Sequence, residues 1–182
     1  MSANEWLLLS YRVPAEPSSK RVSIWRKIRG IGAIYIQNGV CILPKNEEHQ
    51  RQVKMIKNEI VTNGGDALLF ETSGLDQKEE EQIIQRFNDE KNEEYKEFLG
   101  KCKDYLDELK EETEQQHFTY AELQENDEEL KKLKQWLDKI KKLDFYKASL
   151  QSEAEEELLH CEQMLDHFAH EVFNTESNKT YE

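Results

Sequence analysis

The sequence predicts an α+β protein: a ferredoxin-like βαββαβ domain over residues 1–73, followed by an antiparallel helical bundle or coiled coil of about three helices over residues 74–182. Three observations lead there. Short apolar runs separated by Gly, Pro and Asn occupy the first part, whereas a three-four spacing of apolar residues dominates the second. The charge also changes sign along the chain. Residues 1–70 carry ten Lys/Arg against six Asp/Glu, and residues 71–182 carry fifteen against thirty-two, so a total of −13 is the sum of +4 and −17.

Trp6–Val13 reads as a strand, with Leu7, Leu9, Tyr11 and Val13 on one face at period two and Trp6 and Leu8 on the other. Pro14 and Pro17 break it. Ser18–Ile31 reads as a helix whose stripe is Ile24, Trp25, Ile28 and Ile31, closed by Gly30 and Gly32. Ala33–Gln37 and Val40–Leu43 read as strands joined by Asn38-Gly39, a hairpin dipeptide because both residues tolerate positive φ. Asn46–Thr62 reads as a second helix with Val53, Ile56 and Ile60 inward; Asn63-Gly64-Gly65 stops it, and Ala67–Phe70 is a fourth strand.

Ser73-Gly74 marks the expected boundary, and Asp76-x-x-Glu79 the start of a long helix. Tyr95, Phe98, Cys102, Tyr105 and Leu109 form one seam; Leu130, Leu133, Leu137 and Ile140 a second; Ala154, Leu158, Cys161, Leu165, Phe168 and Val172 a third. Thr119-x-x-Glu122 and Ser152-x-x-Glu155 resemble capping boxes that separate three helices, and the tail past Asn174 is polar enough to fray.

Cys41, Cys102 and Cys161 are widely spaced and contain no CxxC, which predicts reduced thiols in the cytoplasm. The longest apolar run, Trp6–Leu9, is too short for a signal peptide or a membrane span, and the acidic half repels nucleic acid and anionic membrane. Any contact with DNA is therefore confined to the N-terminal domain, and the acidic helices are the candidate surface for a protein partner. An apolar outer sheet face formed by Trp6, Leu8 and Tyr35 needs a cover, either the helical region or a second copy in a homodimer.

No Walker loop, G-x-G-x-x-G or G-x-S-x-G occurs, so neither a cofactor nor an enzymatic activity is expected. Arg12 at the end of the first strand, with Arg21 and Arg26 on the first helix, is the candidate anion- or partner-binding set. Arg21 falls within the Ile24/Trp25/Ile28 face, where it either snorkels to a carboxylate or carbonyl or meets an anion. The competing reading is a metal-binding helical bundle: Glu114–His117 and Glu157–His160 are Glu-x-x-His pairs of the kind that line carboxylate-bridged metal sites. His160, Cys161, His167 and His170 also share the last helix, where the plainer reading is a core cysteine flanked by surface histidines.

Trp6-Leu-Leu-Leu-Ser-Tyr-Arg-Val-Pro14, Arg21-x-x-x-Trp25-Arg26-x-Ile28-x-x-x-Gly32-Ala33 and Asn38-Gly39-Val40-x-Ile42-Leu43-Pro44 together resemble the N-terminal domain of the ChrB chromate-resistance family. Gly64-Gly65-Asp66-Ala67 and Phe87-Asn88 with Glu94-Tyr95 extend the resemblance over most of the chain. It implies a link to chromate resistance or to its transcriptional regulation, in a stand-alone form without the C-terminal domain of the longer members. Chromate is an oxyanion that Arg12, Arg21 and Arg26 suit. The first strand also looks like that of the ferredoxin-fold nucleases of CRISPR spacer acquisition and of the PaaX-type repressors. Those nucleases place a metal-binding Asp after the Tyr, where this chain has Tyr11-Arg12; an arginine repels Mg²⁺, so nuclease activity is not expected.

Overall fold

The computed structural model describes residues 4–179. Among them the elements run β1 (Trp6–Arg12), α1 (Ser18–Gly30), β2 (Ile34–Gln37), β3 (Val40–Pro44), α2 (Glu47–Thr62), β4 (Asp66–Thr72), α3 (Gln77–Glu114), α4 (Tyr120–Lys142) and α5 (Gln151–Lys179). The chain is α+β, with two compact units over residues 1–87 and 88–182. Their division falls inside α3, and Ser73-Gly74 lies in the loop ahead of that helix.

The first unit is built on a four-stranded antiparallel sheet of order β2-β3-β1-β4. Leu7 pairs with Leu43, and Leu9 with both Cys41 and Leu69, so their side chains line one face of the sheet. Ile24 and Ile28 of α1 and Val53, Ile56 and Ile60 of α2 pack onto that row, and each is 5% exposed or less. Fully burying an aliphatic side chain of this size contributes about 1.5–3 kcal/mol, which makes this row the main source of the unit's stability. Asn46 caps α2 by accepting from the His49 N–H at 2.7 Å.

Two face assignments need correction. Trp25 is 51% exposed: it sits about 100° around the helix from Ile24, outside the arc that Ile24, Ile28 and Ile31 turn to the sheet. Tyr35 packs against the inner core beside Tyr11, not on the outer face. The outer face carries Trp6, Leu8, Ile34 and Ile42, matched by register, and Trp6, Ile34 and Ile42 are buried. The opening turns of α3 meet this unit: Arg86 donates to the Ile36 carbonyl at 3.4 Å, the Asn4 amide donates to Glu80 at 3.1 Å, and Phe87 is buried. Leu68 and Phe70 share that face on the edge strand β4 and stay open to solvent.

The β2–β3 hairpin turns with a positive φ at Gly39 but not at Asn38, and a register shift between Tyr35 and Gln37 takes up the difference. A Cβ on Gly39 would lie 2.5 Å from the Tyr11 carbonyl oxygen, so glycine lets the hairpin tip lie against β1, where the Tyr11 N–H donates to Gly39 O at 2.7 Å.

The second unit packs α4, α5 and the rest of α3 around one core. Tyr95, Phe98, Cys102, Tyr105 and Leu109 enter it from α3; Leu130, Leu133, Leu137 and Ile140 from α4; Ala154, Cys161, Leu165, Phe168 and Val172 from α5. Leu158 is half-buried at its margin. Asp76 caps α3 by accepting from the Glu79 N–H at 3.0 Å, and Thr119 caps α4 by accepting from the Glu122 N–H at 3.2 Å. Ser152 does not act as an N-cap, because α5 already starts at Gln151. The turn before it is held by side chains instead: the Asp144 carboxylate accepts from the Ala148 N–H at 3.0 Å, and Asn92 Oδ1 from the Leu150 N–H at 3.1 Å. The tail expected to fray past Asn174 is helical as far as Lys179, and residues 180–182 lie outside the described part. No helix among the described residues is long and apolar enough to cross a membrane.

Candidate functional site

An open cleft of about 440 Å³ lies at one end of the sheet, lined by Arg12, Val13, Pro14, Ala15, Arg21, Gly64, Gly65 and Asp66. Three chain segments build it. β1 delivers Arg12 as its last residue, Pro14 ends the strand direction, and α1 then places Arg21 in its first turn. The third segment is the exit from α2. Gly65 is packed so closely there that a Cβ would lie 2.3 Å from the Arg12 carbonyl oxygen and 2.9 Å from an Ile60 methyl. Glycine is thus what allows the end of α2 to close onto the end of β1.

The cleft's polar donors are side chains. The Gly64 and Gly65 N–H groups are spent on the Val61 and Ile60 carbonyls, both at 2.9 Å, in closing α2. Arg12 faces Asp66 across the β1–β4 pair at 3.7 Å, with both side chains more than 80% exposed, so water screens the pair and leaves it weak. Arg21 is exposed, and α1 has no acidic residue in its first turn and no side-chain cap. The positive end of that helix is therefore not neutralised by the chain itself.

Beneath Arg21 lies a polar pair that sequence reasoning passed over. The Tyr11 and Tyr35 hydroxyls are 2.6 Å apart, and their rings are tilted at 6.5 Å between centroids. Burial raises both phenols above their ordinary range. The Tyr35 hydrogen bond and the Arg21 charge pull Tyr11 back down, and the Arg29 charge acts likewise on Tyr35. Both stay neutral donors at physiological pH. The period-two pattern places Tyr11 inward; its partner Tyr35 lies in a strand with a register shift between Tyr35 and Gln37, which simple alternation does not carry. Cys41, next to them, is pushed up to about 12 by burial and donates to the Leu9 carbonyl at 3.8 Å, which makes it an inert core thiol.

Of the three arginines picked from sequence, the structure brings Arg12 and Arg21 to one cleft and leaves Arg26 exposed on the opposite side of α1. The Glu-x-x-His pairs are not brought together. His117 lies in the loop after α3, so it does not share a helical face with Glu114, which instead faces Lys110 at 3.9 Å. His160 stands 3.9 Å from Glu157 on the surface of α5. His167 and His170 are exposed, while Cys161 is in the core. Among the described residues no three His, Cys, Asp or Glu side chains converge as metal ligands.

The family model described as Protein ChrB, N-terminal, matches residues 21–179, from the first turn of α1 to the last described residue of α5. Neither a curated protein nor a solved structure matches the chain. With most of its length covered by that model, the chain belongs to the ChrB N-terminal family.

Proposed function

We propose that this chain is a non-catalytic regulatory protein related to chromate resistance, whose first unit is ferredoxin-like and holds an oxyanion between Arg12 and Arg21, and whose acidic three-helix unit offers a surface to a protein partner. Family membership supports the chromate link. The sheet order β2-β3-β1-β4, with α1 and α2 packed on one face, supports the fold reading. Three free, buried cysteines suit a reducing cytoplasm.

The observation that carries the site is that Arg12 and Arg21, two exposed arginines nine residues apart on different elements, line one cleft beside an uncapped helix start. A tetrahedral dianion accepts several charge-assisted hydrogen bonds at once, and two arginine forks supply them without a metal or cofactor. Because the cleft is open, binding is salt-sensitive and weak. Titration calorimetry with chromate at low ionic strength, with sulfate as competitor, tests this. Arg21→Ala is expected to weaken binding about fivefold to tenfold, and Arg26→Ala to leave it unchanged. Equal affinity for the native chain and Arg21→Ala would remove the cleft from consideration.

A further inference from the structure

We propose that Cys102 and Cys161 form a dithiol–disulfide pair that locks α3 to α5 when a small hydroperoxide reaches the core of the second unit. The two residues come from different helices but from the same layer. Cys102 belongs to the Phe98/Tyr105 seam and Cys161 to the Ala154/Leu165 seam, and both are 0% exposed. The Cys161 Sγ–H donates to the Cys102 carbonyl at 3.8 Å, so the Cys161 sulfur lies against the backbone of Cys102. Side chains in such contact across a helix pair can be bridged with little movement of the backbone.

Cys161 attacks as the thiolate and Cys102 resolves; exchanging the two roles leaves the balance unchanged. The Cys161 thiolate displaces an alkoxide from the peroxide, breaking the O–O bond and forming a sulfenic acid. The Cys102 sulfur then attacks the sulfenic sulfur and releases water as its proton leaves. In sum, two thiols and one hydroperoxide give one disulfide, one alcohol and one water: the sulfurs lose two electrons and the peroxide bond gains them. Complete burial makes the reaction slow, because the oxidant enters only when the helices open. Cys41, alone in the first unit's core, has no sulfur partner and stays reduced. None of this depends on the anion cleft.

The test uses the full chain and hydrogen peroxide. After native exposure and then alkylation in denaturant, mass mapping is expected to show a loss of two thiols of three and one peptide pair joined through Cys102 and Cys161. The bridge closes a long loop, so the far-UV circular dichroism melting point is expected to rise by on the order of 10 °C and to return on reduction. Cys41→Ala should leave both results unchanged, and either Cys102→Ala or Cys161→Ala should abolish them. Three alkylatable thiols after prolonged exposure, a bridge between two molecules, or over-oxidation without a bridge each overturns the proposal. Should an alanine variant fail to fold, the peptide map of the native chain decides alone.

Discussion

The two units solve the burial of polar groups differently. In the first, the sheet ladder satisfies the backbone, the fully buried core between one sheet face and two helices is aliphatic apart from Cys41, the half-buried Tyr11 and Tyr35 hydroxyls pair with each other at its margin, and charged side chains stay at the rim. In the second, large aromatic residues enter the core and bring polar atoms with them. Each is tied off locally: the Tyr95 hydroxyl donates to Asp144 at 2.8 Å, the Tyr105 hydroxyl to the Asn126 carbonyl at 3.1 Å, and the Asn126 amide to Glu112 at 2.7 Å. A buried group with such a partner costs little to keep and much to disturb. The contrast leaves guanidinium groups open to solvent at the sheet rim and places tied-off polar groups among the helices.

The largest effect that would break this contrast lies in the helical core. Phe98 is fully buried and meets Trp136 edge-on at 5.6 Å between centroids. Phe98→Ala leaves a cavity between α3 and α4 and is expected to cost about 3–5 kcal/mol. Urea unfolding followed by far-UV circular dichroism measures it, and amide exchange shows whether β1 keeps its protection while α4 loses it. A cost below about 1 kcal/mol would mean that the aromatic layer is not what holds the helices together.

A smaller effect is expected at the junction of α2 and β1. Gly65→Ala places a methyl against the Arg12 carbonyl and Ile60, both set by backbone or core packing, so the two segments must separate. The expected loss is about 1–3 kcal/mol, confined to the first unit. Because the same junction shapes the cleft, chromate titration of the variant should weaken alongside stability. Unchanged stability together with unchanged binding would show that the close approach does not shape the site.

These positions also show which features local sequence carries. Strands and helices of both units follow from apolar period, and the Asn46, Asp76 and Thr119 caps from residues adjacent to the helices they start. Ser152 failed as a cap because its turn is held by Asp144 and Asn92, residues that no local window around α5 contains. Trp25 is apolar, but its angle on α1 turns it away from the sheet and into solvent. Arg12 and Arg21 were legible as charges near apolar stripes, but their shared cleft depends on Gly65 lying against β1, and β1 is more than fifty residues away along the chain. The Tyr11–Tyr35 pair depends in the same way on strand register and on a bulge. What remained hidden was pairing between distant segments, and the site is made of such pairings.

The smallest effect concerns charge inside the helical unit. Burial raises the Glu112 carboxyl above its ordinary value, the hydrogen bond from Asn126 opposes this, and the neighbouring carboxylates of Glu122, Glu108 and Glu125 add to the rise. A carboxyl raised on folding holds its proton more tightly in the fold than in the unfolded chain, so ionising it works against the fold. That penalty is absent below the unfolded value, grows as pH rises through the interval up to the folded value, and is complete above it. Glu112→Gln carries no charge at any pH, and its side-chain carbonyl can still accept from Asn126. The variant should therefore match the native chain in acid and exceed it at neutral pH by no more than about 1 °C, because the group is largely solvated. Melting curves at pH 3.5 and 7.5 resolve the sign. A variant less stable than the native chain at pH 7.5 would show that the ionised Glu112–Asn126 contact is worth more than the burial it requires, and polar groups in the second unit would then contribute stability in their own right.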